Sequence, residues 1–259
     1  MKKIAALLAG ALLAVSVGVQ ARDWSTIRIG VDASYPPFES KAASGQLVGF
    51  DIDLGNELCR RIHAKCSWVE TPFDSVIPGL KTRKFDMVLS TLSMTPARAK
   101  QIDFSDKVFH VPTKLLVKKG SNLLPTPASL AGKSVGVEQG SMQETYAKTH
   151  WGSQGVQVRS YQNQDQVYAD LLAGRLDATL QNAAQAEYGF LRTPRGAAYM
   201  LAGPELEDDK IFGPGTGIGL RKEDTDLKEK LNAALAAMHR DGTYKKIAAK
   251  YFDFDVYGH

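Results

Sequence analysis

The strongest restriction on how this chain can fold is that its strand–helix pattern is written twice. Residues 26–32 (TIRIGVD), a β-rich stretch with Ile27, Ile29 and Val31, read as a buried strand. Residues 51–62 follow with Leu54, Leu58 and Ile62 at helical spacing; 66–70 are extended, 74–82 helical, and 85–90 (FDMVLS) a second buried strand. A helical stretch at 98–102 and a strand at 113–118 (TKLLVK) come next. The same grammar then returns, with a strand at 133–138 (KSVGVE), an extended run at 156–161, a helix at 165–172 and a strand at 176–182 (LDATLQN). Val76, Leu80, Phe85 and Asp86 have counterparts in Val167, Leu171, Leu176 and Asp177, each 91 residues on. Strands alternating with helices predict an α/β fold of mostly parallel sheets flanked by helices. Two matched halves predict two lobes with equivalent strand ends; chance repetition of apolar spacing is the alternative.

The last part of the chain returns to the first pattern. Residues 216–220 (TGIGL) read as a strand, and 227–238 as an amphipathic helix with Leu227, Leu231, Leu235 and Met238 on one face. Gly242 stops it, and 244–251 is a second helix. This segment is expected to complete the first lobe. Lobe 1 then comprises 22–109 plus 216–259 and lobe 2 comprises 114–206, with hinge crossings at 110–113 and 207–215.

The N-terminus reads as a secretory leader over residues 1–21. Met1, Lys2 and Lys3 are a basic start, 4–19 are uncharged and rich in Leu, Ala and Val, and Val19-Gln20-Ala21 suits a cleavage site. An uncleaved anchor is the alternative, for which the apolar run is short. Cleavage before Arg22 gives a periplasmic protein, and no cysteine follows the site to carry a lipid. Losing two lysines lowers the basic count from 32 to 30 against 28 acids, too weak an excess to argue for nucleic acid. Cys59 and Cys66 lie close together in the mature part and, in an oxidising compartment, read as a local disulfide. The rival is a metal pair, but without a nearby His-x-His or second cysteine pair they make a poor zinc site.

Ligands of open α/β sheets bind beyond the carboxyl ends of the strands. Here those ends are residues 32–35 and 90–93 in the first half, and 138–143 and 182 in the second. Ser141 and Glu144 (SMQE) form a capping box at a helix start suited to a carboxylate, or simply an ordinary helix start. Ser90, Thr91 and Ser93, followed by Thr95-Pro96 and Arg98, put hydroxyls and a guanidinium beyond a strand, a carboxylate site or else a polar turn with a surface arginine. Asp32 and Glu138 hold matching positions and suit the cationic end of a ligand, with Tyr35 and Phe73 as flat walls. For Asp32 the alternative is a cap, and for Phe73 a core residue.

The runs IGVDASYPPF (29–38), GFDIDLGNELC (49–59), LSTLSMTPAR (89–98), GVEQGSMQE (136–144), AGRLDA (173–178), FGPGTGIGLRK (212–222), DGTYKKI (241–247) and KYFDFDVYG (250–258) resemble the lysine/arginine/ornithine- and histidine-binding periplasmic proteins. The resemblance covers essentially the whole mature chain. It implies a two-lobed type II binding-protein fold, the disulfide Cys59–Cys66, an amino-acid ligand and a membrane ABC-transporter permease as partner. It implies that Asp32 binds the distal cation and that Tyr35 and Phe73 sandwich the side chain. Ser90, Thr91, Ser93 and Arg98 would hold the ligand backbone, and Ser141 and Gln143 would close from the second lobe. Three positions depart from the pattern: Asn182 stands where an Asp pairs with the α-ammonium, Glu138 where an apolar residue is usual, and Met142 where a Thr helps hold the carboxylate. The expected ligand is still cationic, arginine-like compounds favoured, with opines or other N-substituted derivatives as an alternative. A periplasmic dehydratase-like enzyme on the same scaffold is a second alternative. Against it, the chain has no G-x-S-x-G, H-E-x-x-H or phosphate loop, and its five histidines (63, 110, 150, 239 and 259) lack metal spacing. No cofactor, metal or catalytic residue is expected. A ligand-sensing role would need a separate effector, and a monomer is the expected state.

Overall fold

The computed structural model describes residues 22–258; the leader expected at 1–21 lies outside the described residues. The first half runs β1 (Thr26–Val31), β2 (Ser34–Tyr35), β3 (Glu39–Lys41), β4 (Leu47–Val48), α1 (Phe50–Arg61), β5 (Lys65–Glu70), α2 (Val76–Lys81), β6 (Met87–Val88), α3 (Pro96–Ala99) and β7 (Asp103–Phe104). The second runs β8 (Thr113–Lys118), α4 (Pro127–Leu130), β9 (Ser134–Glu138), α5 (Met142–His150), β10 (Gln157–Tyr161), α6 (Gln164–Leu172), β11 (Ala178–Asn182) and β12 (Tyr199–Leu206). The chain ends with β13 (Gly219–Leu220), α7 (Thr225–Arg240) and α8 (Thr243–Ala248). Among the described residues no helix is long and apolar enough to cross a membrane.

Two five-stranded sheets result, ordered β5-β1-β6-β13-β7 and β10-β9-β11-β8-β12. Each is built on a parallel trio, β5-β1-β6 and β10-β9-β11. The strands that arrive from the other sheet run antiparallel: β8 against β11, and β13 against β6. The chain thus passes twice between sheets, after β7 and after β12. Leu227, Leu231, Leu235 and Met238 of α7 are buried with Ile27, Ile29, Leu54 and Leu58, so the final segment completes the first sheet's core.

The repeat seen in the sequence has a physical basis. Asp86 accepts the Arg28 amide on Oδ2 at 3.0 Å and donates its own amide to the Arg28 carbonyl. Asp177 does the same with Ser134, its Oδ2 accepting the amide at 2.9 Å. Each aspartate therefore locks its strand to the start of the first strand of its half. Phe85 and Leu176, one residue earlier, each press on a glycine in that strand. A Cβ on Gly30 would lie 2.6 Å from Phe85 Cε2, and one on Gly136 2.4 Å from Leu176 Cδ1.

Several local expectations are corrected. β6 and β13 have two residues each rather than the runs expected at 85–90 and 216–220. One cause is that the Asp32 amide goes to the Ser90 hydroxyl, which replaces a ladder bond. The helix expected at 98–102 begins earlier, because Pro96 fits the first helical position and the Thr95 hydroxyl accepts the Arg98 amide. The β2-β3-β4 sheet, β12 and π-helical turns over Gln185–Leu191 had no expectation. The cysteines form the disulfide, Cys59–Cys66, tying the end of α1 to β5 and setting the metal alternative aside.

Beside the crossings, the C-terminal segment reaches the second half. The Tyr188 hydroxyl donates to Asp253 Oδ1, Arg192 Nη2 donates to Asp253 Oδ2 at 3.0 Å, and the Tyr188 ring stands 6.3 Å from that of Phe254.

Gly30→Ala should destabilise the protein by about 1–3 kcal/mol, because Phe85 is also confined on its other side by Gly79. Urea unfolding measures this, and an unchanged midpoint would show that Phe85 moves aside freely.

Candidate ligand-binding cleft

The carboxyl ends of the two sheets face each other across a cavity lined from both halves of the chain. Its lining contains every residue expected there from the sequence, from Asp32 and Tyr35 through Ser90, Thr91, Ser93 and Arg98 to Glu138, Ser141, Met142, Gln143 and Asn182, with Phe73 as one wall. Glu39 also lines it and was missed. The halves touch around it: Arg98 Nη2 donates to the Gly140 carbonyl at 2.9 Å, and Gly140 lies so close to Asp74 that a Cβ there would be 2.9 Å from the Asp74 Cα.

One end of the cavity is cationic. Thr95 caps the short helix that carries Arg98, and the guanidinium is buried with 8 % exposure. Nη1 donates to the Ser93 carbonyl at 3.0 Å and Nη2 to Gly140, while the Phe73 ring lies 5.3 Å away. Among the described residues no carboxylate pairs with it, and burial pushes it down to about 10. A buried cation with spare N–H donors and no counterion is a seat for an anion. Beside it Ser141 caps α5, its hydroxyl accepting the Glu144 amide at 3.0 Å and donating to the Glu138 carbonyl at 2.6 Å. Glu144 reaches back to the Gly140 amide rather than to that of Ser141. The Gln143 side chain is turned to Thr113 Oγ1 at 3.0 Å, at the first crossing.

The rest of the cavity is acidic. Asp32 Oδ1 accepts the amide and hydroxyl of Ser34, and Oδ2 accepts the Phe73 amide at 2.9 Å; it is therefore both a cap and a cavity wall. Burial raises its carboxyl above the ordinary range. Glu39, 1 % exposed, accepts the hydroxyls of Ser90 and Thr91, each at 3.2 Å. Those hydroxyls therefore keep lone pairs for an ammonium rather than a proton for a carboxylate. Behind Glu39 stands fully buried Asp51, whose Oδ2 accepts the Thr91 amide at 2.8 Å while Oδ1 has no donor besides the Glu39 carboxyl. Two carboxyls in such contact share a proton. Burial, with Asp51 adding to it, holds Glu39 well above the carboxylate range, and burial pushes Asp51 up to about 7. The side-chain carboxyl of Glu138, a residue 7 % exposed, accepts no hydrogen bond among the described residues, and burial with Asp32, Asp165 and Asp74 nearby raises it strongly. Asn182 Oδ1 accepts the Gln185 amide at 3.0 Å. Glu39 was invisible in the sequence because nothing signalled the β2–β3 pairing that turns it inward; Asp51 reads as an ordinary first-turn acid of α1.

The chain matches the model of the bacterial extracellular solute-binding proteins, family 3, over residues 27–254. It is 54 % identical over 232 residues to the histidine-binding periplasmic protein of Salmonella typhimurium, covering 90 % of this chain and 89 % of that one. It is 54 % identical over 233 residues to the lysine/arginine/ornithine-binding periplasmic protein of Escherichia coli, covering 90 % of each. An ancestral arginine-binding protein bound to arginine superposes with a TM-score of 0.82 at 36 % identity, over 88 % of this chain and 98 % of that one.

A carboxyl whose folded-state value is raised keeps its proton where the unfolded chain has released it. The advantage it gives the fold is complete below the ordinary carboxylate value and is lost as pH rises towards the folded value. The ligand-free protein should therefore lose stability between about pH 4 and about pH 7. Glu39→Gln, which offers Asp51 an amide donor, should flatten that decline. Urea midpoints across this range measure it, and an unchanged slope would mean that the pair shares no proton.

Proposed function

The chain belongs to the bacterial extracellular solute-binding proteins, family 3, and from that premise we propose that it is the periplasmic receptor of an ABC importer for a cationic amino acid of the arginine, lysine, ornithine and histidine class. The observation that carries this is the charge layout of the cavity: one buried guanidinium without a carboxylate partner at one end, and three carboxyls, Asp32, Glu39 and Glu138, around the rest. An α-carboxylate supplies the counterion that Arg98 lacks, with Ser93 and the start of α5 beside it. An α-ammonium suits the lone pairs of Ser90 and Thr91. A second cation, on the side chain, offsets the acids that remain. The histidine-binding and lysine/arginine/ornithine-binding relatives are named for amino acids of this kind.

Residues 22–109 with 216–258 form one lobe and 114–206 the other, and segments 110–113 and 207–215 are the hinge. Residues 1–21 act as the cleaved leader that delivers the protein to the periplasm, where it works as a monomer. The closed arrangement is held by Arg98 to Gly140 and by the ligand touching both lobes, so a ligand shifts the population only through its better fit to the closed form. The permease then engages the closed surface.

A second reading, an N-substituted ligand, has one observation in its favour. Ser93, Met142 and Asn182 line both this cavity and a neighbouring hollow, so a group on the α-nitrogen has somewhere to go. That hollow also carries Glu205, Glu207, Asp208 and Asp209, which favours a neutral or basic substituent over the extra carboxylate of an opine.

Calorimetry on mature protein, refolded to strip bound ligand, should give exothermic binding of cationic amino acids and none of glutamate. Arg98→Met should weaken that binding by about a hundredfold or more, as for truncation of one side of a buried charge pair. Binding unaffected by the substitution would overturn the assignment of the carboxylate end.

A further inference from the structure

The carboxyls around the cavity differ sharply in how much of their hydrogen-bonding capacity is already used. A carboxylate has about four lone-pair sites. Asp32 has committed three of them, two to Ser34 and one to the Phe73 amide. Glu39 accepts from Ser90 and Thr91 and shares a proton with Asp51. Glu138, at the end of β9, has committed none, although it is 7 % exposed and lines the cavity.

We propose that Glu138 is the seat of the ligand's distal guanidinium, and that it makes this chain select arginine-type ligands over those ending in a primary ammonium or an imidazolium. The inference rests on the cationic-amino-acid reading above and refines it. A guanidinium presents five N–H donors in a planar fork that matches one carboxylate with two parallel hydrogen bonds. The single remaining site on Asp32 satisfies one such donor, and Glu138 has room for the pair. A distal ammonium is a compact point charge without a fork to match, and the remaining site on Asp32 serves it without Glu138. A guanidinium is also the more weakly hydrated cation, so it enters a closed cavity at lower cost.

The surroundings of Glu138 explain why this seat waits for a ligand. The groups facing it are Asp32 at the end of β1, Asp74 before α2, Asp165 in α6 and the Tyr35 phenol; the one basic residue lining the cavity, Arg98, forms no ion pair with it. Burial and these acids favour its neutral form in the empty cavity, and a docked guanidinium favours the ionised one. Arginine binding then releases a proton, and its affinity falls as pH drops below the raised value of the free site.

The test is calorimetric titration of ligand-free protein with arginine, ornithine and histidine, for the unaltered chain, Glu138→Gln and Glu138→Leu. It is run at about pH 6 and about pH 8 in buffers of different ionisation heat, with melting temperatures to confirm folding. The expected result is an arginine preference of about tenfold or more that rises with pH and is accompanied by proton release. Glu138→Gln should weaken arginine by about 30-fold, and ornithine by a far smaller factor, and abolish the proton release. Folded variants that keep the arginine-to-ornithine ratio of the unaltered chain overturn this inference while leaving the proposed function standing. Failure of the unaltered chain to bind any of the three overturns both.

Discussion

A guanidinium buried beside two backbone carbonyls, with no carboxylate partner among the described residues, governs the cleft. Arg98 is held by the Thr95 cap, the Ser93 carbonyl and the Phe73 ring on one side and by the Gly140 carbonyl on the other. A charge so enclosed is costly without a counterion, and the cavity that Arg98 lines is where the proposed ligand would supply one. The same side chain is thus the proposed seat of the ligand's anion and a hydrogen-bond link between the two halves. Everything opposite follows the complementary rule, with carboxyls made tolerable while empty by partial protonation, as in the Glu39–Asp51 pair, or by local amides, as at Asp32.

The scaffold was legible in the sequence because it depends on spacing. Asp86 and Asp177 lock matching strands with the same pair of backbone contacts, so the recurrence of Val76, Leu80, Phe85 and Asp86 in the second half marks a real structural equivalence. The face of α7 was equally plain, since Leu227, Leu231, Leu235 and Met238 obey a helical period that only burial explains. What spacing cannot show is where a strand stops. β6 is cut short where Ser90 takes the Asp32 amide, and nothing in FDMVLS announces that exchange.

The cavity was legible in its membership but less so in its chemistry. Strand ends and the resemblance to known binding proteins placed twelve residues on one wall or another, and the cavity lining contains them all. The directions of their hydrogen bonds were hidden. Ser90 and Thr91 looked like donors for a carboxylate, yet their protons go to Glu39, whose inward turn depends on a two-residue strand pairing too short to leave a pattern. Asn182 likewise spends its oxygen on the Gln185 amide, so a position that reads as a ligand contact is also a helix cap.

The contact between Tyr188 and the C-terminal segment has a practical consequence. Phe254 is 45 % exposed yet its ring stands beside Tyr188, and neither residue lines the cavity. The lobe separation proposed above would change that neighbourhood, which contains no cavity-lining side chain. An environment-sensitive dye attached at position 254 would therefore convert lobe movement into an optical signal, with the ligand-contacting surface left intact.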